Sequence, residues 1–164
     1  CLAYIAFIGW YMSAADVLLL ILDVILLVFF GTALSSCINF FMSTQGQISA
    51  VGTIISSCYG FICGAYMPIS SFADGLQTVI SFLPGTYGTS LIRNHSMRGA
   101  LTAMKNEGVP ADVIEEFKDA LDCNLYFFDN KVDLSMMYVV LAVTVVLLVA
   151  LYVLLNVSNS KKQK

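Results

Sequence analysis

Charge is scarce in this sequence. Only 12% of its 164 residues are Asp, Glu, Lys or Arg, about half the roughly 25% of an ordinary soluble domain. Histidine occurs once, at His95. The five cysteines (Cys1, Cys37, Cys58, Cys63 and Cys123) form no CxxC pair and no cluster with histidine, so neither a zinc site nor a disulfide framework is indicated. No GxxxxGK[ST] phosphate loop, HExxH pair or nucleophile elbow is present. These gaps exclude the soluble-enzyme constellations; no catalytic residue, metal, cofactor or nucleic-acid partner is expected for this chain.

Long uncharged runs fill the space instead. The chain is 59% hydrophobic, with a mean hydropathy of +0.83. Residues 17–41 contain one charge, Asp23, while 47–67 and 134–157 contain none. Each run exceeds the roughly 18–20 residues that cross about 30 Å of hydrocarbon. A single soluble core has no place for three such runs. The expected fold is all-α: a polytopic integral membrane protein, a helical bundle with a re-entrant or interfacial hairpin before the last transmembrane helix.

The chain divides accordingly. Residues 1–12 are read as the end of a truncated transmembrane helix, the chain being the C-terminal part of a longer protein, with Trp10-Tyr11 at a membrane interface. Transmembrane helices are expected over 15–42, 47–67 and 134–157. A hairpin is expected over 68–93, extracytoplasmic amphipathic helices and loop over 94–133, and a basic cytoplasmic tail over 158–164. That tail holds three lysines beside a helix end, and the 67–133 segment holds nine acids against five basic residues. The positive-inside rule then puts the C-terminus in the cytoplasm and the 67–133 loop outside the cell membrane.

Particular residues stand out within these segments. Asp23 is the one acid inside a span; it is either a pathway carboxylate or a hydrogen-bonded group close to the outer interface. Gly52, Ser56, Gly60 and Gly64 recur every four residues, a small-residue stripe that lets another helix backbone approach closely. Part of that face, with Ser49, Thr53 and Ser57 beside it, alternatively lines a substrate cavity; both roles fit one helix. His95, between Arg93 and Arg98, is read as polar surface, with contact to an external anion as the alternative. The last span is mostly Leu and Val and is assigned no site.

The segment from Gly64 to Arg93 is too apolar for a loop and too interrupted for a span. Gly64, Pro68, Leu76-Gln77, Leu83-Pro84-Gly85-Thr86-Tyr87 and Arg93 stand in the order and spacing of a known signature. The segment resembles the hairpin of the type-2 ATP-binding-cassette (ABC) exporter permeases, and the flanking helices lie where that family has them. Ala73 stands where members often carry a second proline, and Gly85 where they carry a bulky residue. The resemblance implies the C-terminal half of a six-helix permease subunit that pairs with a second copy, within membrane lipids. ATP and Mg would be bound by a separate cytoplasmic ATPase. It also implies that 47–67 lines the path and that Pro68, Leu76, Leu83, Pro84, Thr86, Tyr87 and Arg93 belong to an outer gate. Two other classes compete: a carrier driven by an ion gradient through Asp23, and a non-transporting assembly or immunity factor.

Overall fold

The computed structural model describes residues 12–127 and 130–162. The expected helix tail over 1–12 lies outside the described residues apart from Met12, as do the last two residues of the basic tail.

Helix α1, Ala14–Asn39, has 26 residues, about 39 Å at 1.5 Å per residue. Ser13 N–H donates to Asp16 Oδ2 at 3.2 Å, so a carboxylate occupies the first turn, where unpaired N–H groups and the positive dipole end favour it. Asp16, Asp23, Phe30 and Cys37 are buried and recur every seven residues, with Ala33 beside them. Two turns return a side chain to nearly the same face, so one stripe faces the protein. The Thr32 and Ser36 hydroxyls donate to the Val28 and Thr32 carbonyls, both at 2.8 Å. Asn39 Nδ2 donates to Ser35 Oγ at 3.3 Å. The polar half of α1 therefore satisfies much of its hydrogen bonding within the helix.

Helix α2, Gln45–Ile62, opens on a reciprocal cap. Thr44 Oγ1 accepts from Gln47 N–H at 3.3 Å, and Gln47 Oε1 accepts from Thr44 N–H at 3.2 Å. It ends five residues short of the expected Met67. Gly64 adopts φ +76°, and the Ala65 N–H closes back on the Gly60 carbonyl at 3.0 Å, a left-handed stop that glycine adopts without steric cost. No residue of α2 is buried.

A 3-10 turn at Ile69–Ser71 leads to helix α3, Asp74–Ser81, and then α4, Pro84–Asn106. Pro84 stands at the start of α4, where its missing N–H costs nothing and its fixed φ suits the helix. Here the expected boundary at 93/94 fails. No proline intervenes and charge alone does not stop a helix, so α4 runs unbroken from the hairpin into the segment expected to hold a separate amphipathic helix. Gly108, at φ +84°, ends the chain's turn out of it. Helix α5, Ala111–Ala120, follows Pro110, and a two-residue antiparallel ladder pairs β1, Tyr126–Phe127, with β2, Asn130–Lys131. Helix α6, Leu134–Lys162, closes the chain.

α1, α4 and α6 pack against one another. Their core joins Phe30, Tyr87, Leu91, Met137 and Leu141, and is sealed at one end by Ile69, Ile80 and Leu125. His95 and Arg98 meet Asp23 and Asp16 respectively, so α4 runs antiparallel to α1. Tyr138 meets Asp23, and the Cys37 thiol donates to the Leu148 carbonyl at 3.3 Å, so α6 runs parallel to α1. The outer faces stay bare. Only 17% of the most apolar stretch of α1 and 6% of that of α6 are buried. Leu18, Val28, Val146, Leu147 and Leu154 are among the exposed side chains. A soluble protein covers such faces; two uncovered apolar helices of crossing length belong in lipid. The all-α membrane fold is therefore observed.

Candidate functional site

Between α1, α2 and the start of α4 lies an apolar cleft of about 340 Å³. Two rows of small or short polar residues line its opposite walls, each spaced by four: Gly31, Ser35 and Asn39 on α1, and Gly52, Ser56 and Gly60 on α2. No charged side chain lines it. The structure thus brings two of the expected path residues, Ser56 and Gly60, together with Gly52 of the packing stripe, and leaves out Ser49, Thr53 and Ser57. Ser49 instead accepts the Thr53 hydroxyl through its carbonyl at 2.9 Å. Gly64 serves as the helix stop rather than as a packing position. A Cβ at Gly60 would come within 2.5 Å of the Tyr66 ring, so this glycine holds a side chain of its own segment.

Tyr59, which the sequence reading passed over, forms the inner end of the cleft. Its hydroxyl accepts from Gly85 N–H at 3.2 Å, and its ring lies 6.0 Å from that of Phe30. A Cβ at Gly85 would stand 2.6 Å from the Tyr59 ring and 2.9 Å from Cys63 Sγ. The bulky residue common in the resembling family has no room here because Tyr59 occupies that space.

The residues read as a gate form a joint between α3 and α4. The Thr86 hydroxyl donates to the Ile80 carbonyl at 3.0 Å, and the Tyr87 hydroxyl to the Ser81 carbonyl at 2.6 Å. These are among the last carbonyls of α3, which have no partner within their own helix. The Thr-Tyr pair after Leu83-Pro84 is therefore a cap supplied by the following helix. Thr89 reaches the other way, donating to the Cys63 carbonyl at 2.8 Å. Leu76 is exposed, while Gln77 Nε2 donates to the Phe72 carbonyl at 2.7 Å and closes the turn before α3.

Arg93 ties this joint to the end of α2. One guanidinium nitrogen donates to the Gly64 carbonyl and the other to Asp122 Oδ2 at 2.7 Å. Asp122, 4% exposed, also accepts the Ile69 and Ser70 N–H groups at 2.6 and 3.4 Å. Its φ of +51° is unusual for a residue other than glycine. Asp122 is thus the acid that pairs with Arg93.

The largest departure concerns His95. It is 4% exposed, not surface. Its Nδ1 lies within hydrogen-bond distance of Asp23 Oδ2, at 2.6 Å, and the Tyr138 hydroxyl donates to Asp23 Oδ1. Asp23 is fully buried, with both oxygens engaged. Three helices meet at this carboxylate, and the last span, expected to carry no site, supplies one of its partners.

The segment beyond α4 carries its own charge network. Glu115 receives Lys131 and Lys118, the latter at 3.2 Å. These hydrogen bonds, Lys131 first, hold its carboxyl well below the usual carboxylate range, at about 2. Burial pushes the Cys123 thiol up, which makes it a poor nucleophile.

The family model for the ABC-2 type transporter matches residues 1–95. The chain belongs to the ABC-2 type transporter family. No curated protein and no solved structure matches it. The matched stretch contains both walls of the cleft, the α3–α4 joint and the Asp23–His95 pair. As a member, the chain is a permease of an ABC-type transporter, and the cleft is its candidate substrate site. Among the described residues, no group of three His, Cys, Asp or Glu is placed to hold a metal.

Proposed function

We propose that this permease forms the transmembrane half of an ABC exporter, with ATP and Mg handled by a separate cytoplasmic ATPase and with a second permease copy completing the path. The observation that carries the reading is the uncharged cleft between the facing rows Gly31-Ser35-Asn39 and Gly52-Ser56-Gly60. Small residues let helix backbones approach and separate without threading bulky side chains past one another. Because no residue of α2 is buried, this helix is free to pack on another copy, and ATP-driven closure would favour one packing over the other.

The α3–α4 joint then acts as a stiff outer lid. Capping bonds from Thr86 and Tyr87, and the Arg93 tie to Gly64 and Asp122, make it move as one body. The parallel run of α1 and α6 supports starting both on the same face. With the lysine-rich end of α6 in the cytoplasm, that face is extracytoplasmic and carries the 67–133 segment.

Co-purification with the candidate ATPase, followed by vesicle transport with and without ATP, tests the proposal. ATP-dependent flux that requires the ATPase is expected; flux that persists without any ATPase would contradict it. A carrier driven through Asp23 would lose flux on Asp23→Asn whether or not the ATPase is present.

A further inference from the structure

The segment from 67 to 133 is acidic overall, yet one cleft on it is not. Between α4, α5 and the first residue of α6 lies a space of about 370 Å³, lined on its polar side by Arg98, Lys105 and Lys118 and on its apolar side by Leu101, Ile114 and Leu134. None of the described acids of that segment lines it. Arg98 and Lys105 stand seven residues apart on α4, two turns along one face, about 10 Å; Lys118 approaches from α5.

The three cations are differently engaged. Arg98 uses one nitrogen on Asp16 at 3.3 Å and remains 63% exposed, leaving other N–H donors of its guanidinium available. Lys118 is held by Glu115 at 3.2 Å, but that carboxylate is shared with Lys131. Lys105 is exposed and has no ion-pair partner among the described residues. Three donors with less than their full complement of counter-charge, lining one cleft together with Leu101, Ile114 and Leu134, suit an anion attached to an apolar body.

Position sharpens the chemistry. The pair Arg98–Asp16 fixes the cleft beside the first turn of α1, and Leu134 begins α6. Both apolar helices start at this level, so the cleft lies where a bilayer would place its phosphates. We propose that it binds an anionic phosphate group, with Arg98, Lys105 and Lys118 contacting the oxygens. A lipid headgroup and a free phosphate share that chemistry; only the lipid would also use Leu101, Ile114 and Leu134.

The test is thermal unfolding and bound-lipid measurement on the purified full-length protein. Phosphatidylglycerol is titrated against phosphatidylcholine, and sodium phosphate against sodium chloride at equal ionic strength. Stabilisation by phosphatidylglycerol alone identifies a lipid site; stabilisation by inorganic phosphate as well identifies a site for the free ion. In either case Lys105→Gln, an exposed change that breaks no ion pair, should weaken the effect about tenfold, the loss of one charge-assisted contact. Lys105→Arg, which keeps the positive charge at that position, should leave it in place. The proposal is overturned if neither probe exceeds its control, if Lys105→Gln responds like the wild type, or if Lys105→Arg loses as much as Lys105→Gln.

Discussion

Removing a hydrogen-bonding partner of a fully buried carboxyl leaves it one bond short, so His95→Ala is the most informative stability variant. Asp23 is fully buried and held by His95 and Tyr138. Breaking a buried pair from one side costs about 3–5 kcal/mol. The remaining Tyr138 bond puts the loss near the lower end, about 3 kcal/mol. For a chain of this length that is roughly 6–12 °C of melting temperature. Unfolding is followed by thiol labelling, since Cys37, Cys63 and Cys123 are buried. Asp23→Ala/His95→Ala, which removes both partners, should cost less than the two single changes together, with a coupling of about 2 kcal/mol. The cavity left by His95 is common to the single and double variants and cancels in the cycle. Costs that simply add, within about 0.5 kcal/mol, would refute the pairing.

Three further outcomes follow from the geometry. Gly85→Val should destabilise by about 1–3 kcal/mol through overpacking against Tyr59 and Cys63, and Tyr59→Ala should recover part of that loss in the double variant, read by the same thiol assay. Arg93→Lys keeps the charge but gives up the fork that reaches Gly64 and Asp122 together. It should speed protease cleavage near residues 65–72, and unchanged cleavage would count against the tie. Glu115 has its carboxyl lowered from 4.5 to about 2, so its contribution is fully present above pH 4.5 and disappears as pH falls through about 2. Glu115 is 43% exposed, so Glu115→Gln should cost only about 0.2–1 kcal/mol at pH 7, and nothing once the pH is well below 2.

Much of the fold is legible in the residues. The uncharged runs mark the long helices, Thr44 with Gln47 marks the start of α2, and Pro84 marks the start of α4. Asp23 was visible as an outlier but its partners were not, because they lie on two other helices. A local signal did exist. Asp16, Asp23, Phe30 and Cys37 repeat every seven residues, and Tyr87, Leu91 and His95 every four, which places both the acid and the histidine on buried stripes. Ending the hairpin at Arg93 and placing a separate amphipathic helix beyond it cut the second stripe just before His95. The row Gly31-Ser35-Asn39 was equally present, yet its meaning depends on facing Gly52-Ser56-Gly60 across a gap, which no single helix reveals. Asp122 had no readable signal: its partners Arg93 and Ile69 are far away in sequence, and its left-handed backbone is a property of the folded turn.

The cleft as substrate path is tested most directly by blocking it. Ser56 lines it, whereas Ile54, one turn-face away and 62% exposed, does not. In vesicles holding the full-length permease and its ATPase, Ser56→Trp should abolish ATP-dependent flux while ATPase co-purification is retained. Ile54→Trp should transport like the wild type. Equal flux through Ser56→Trp and the wild type would contradict the assignment of the path.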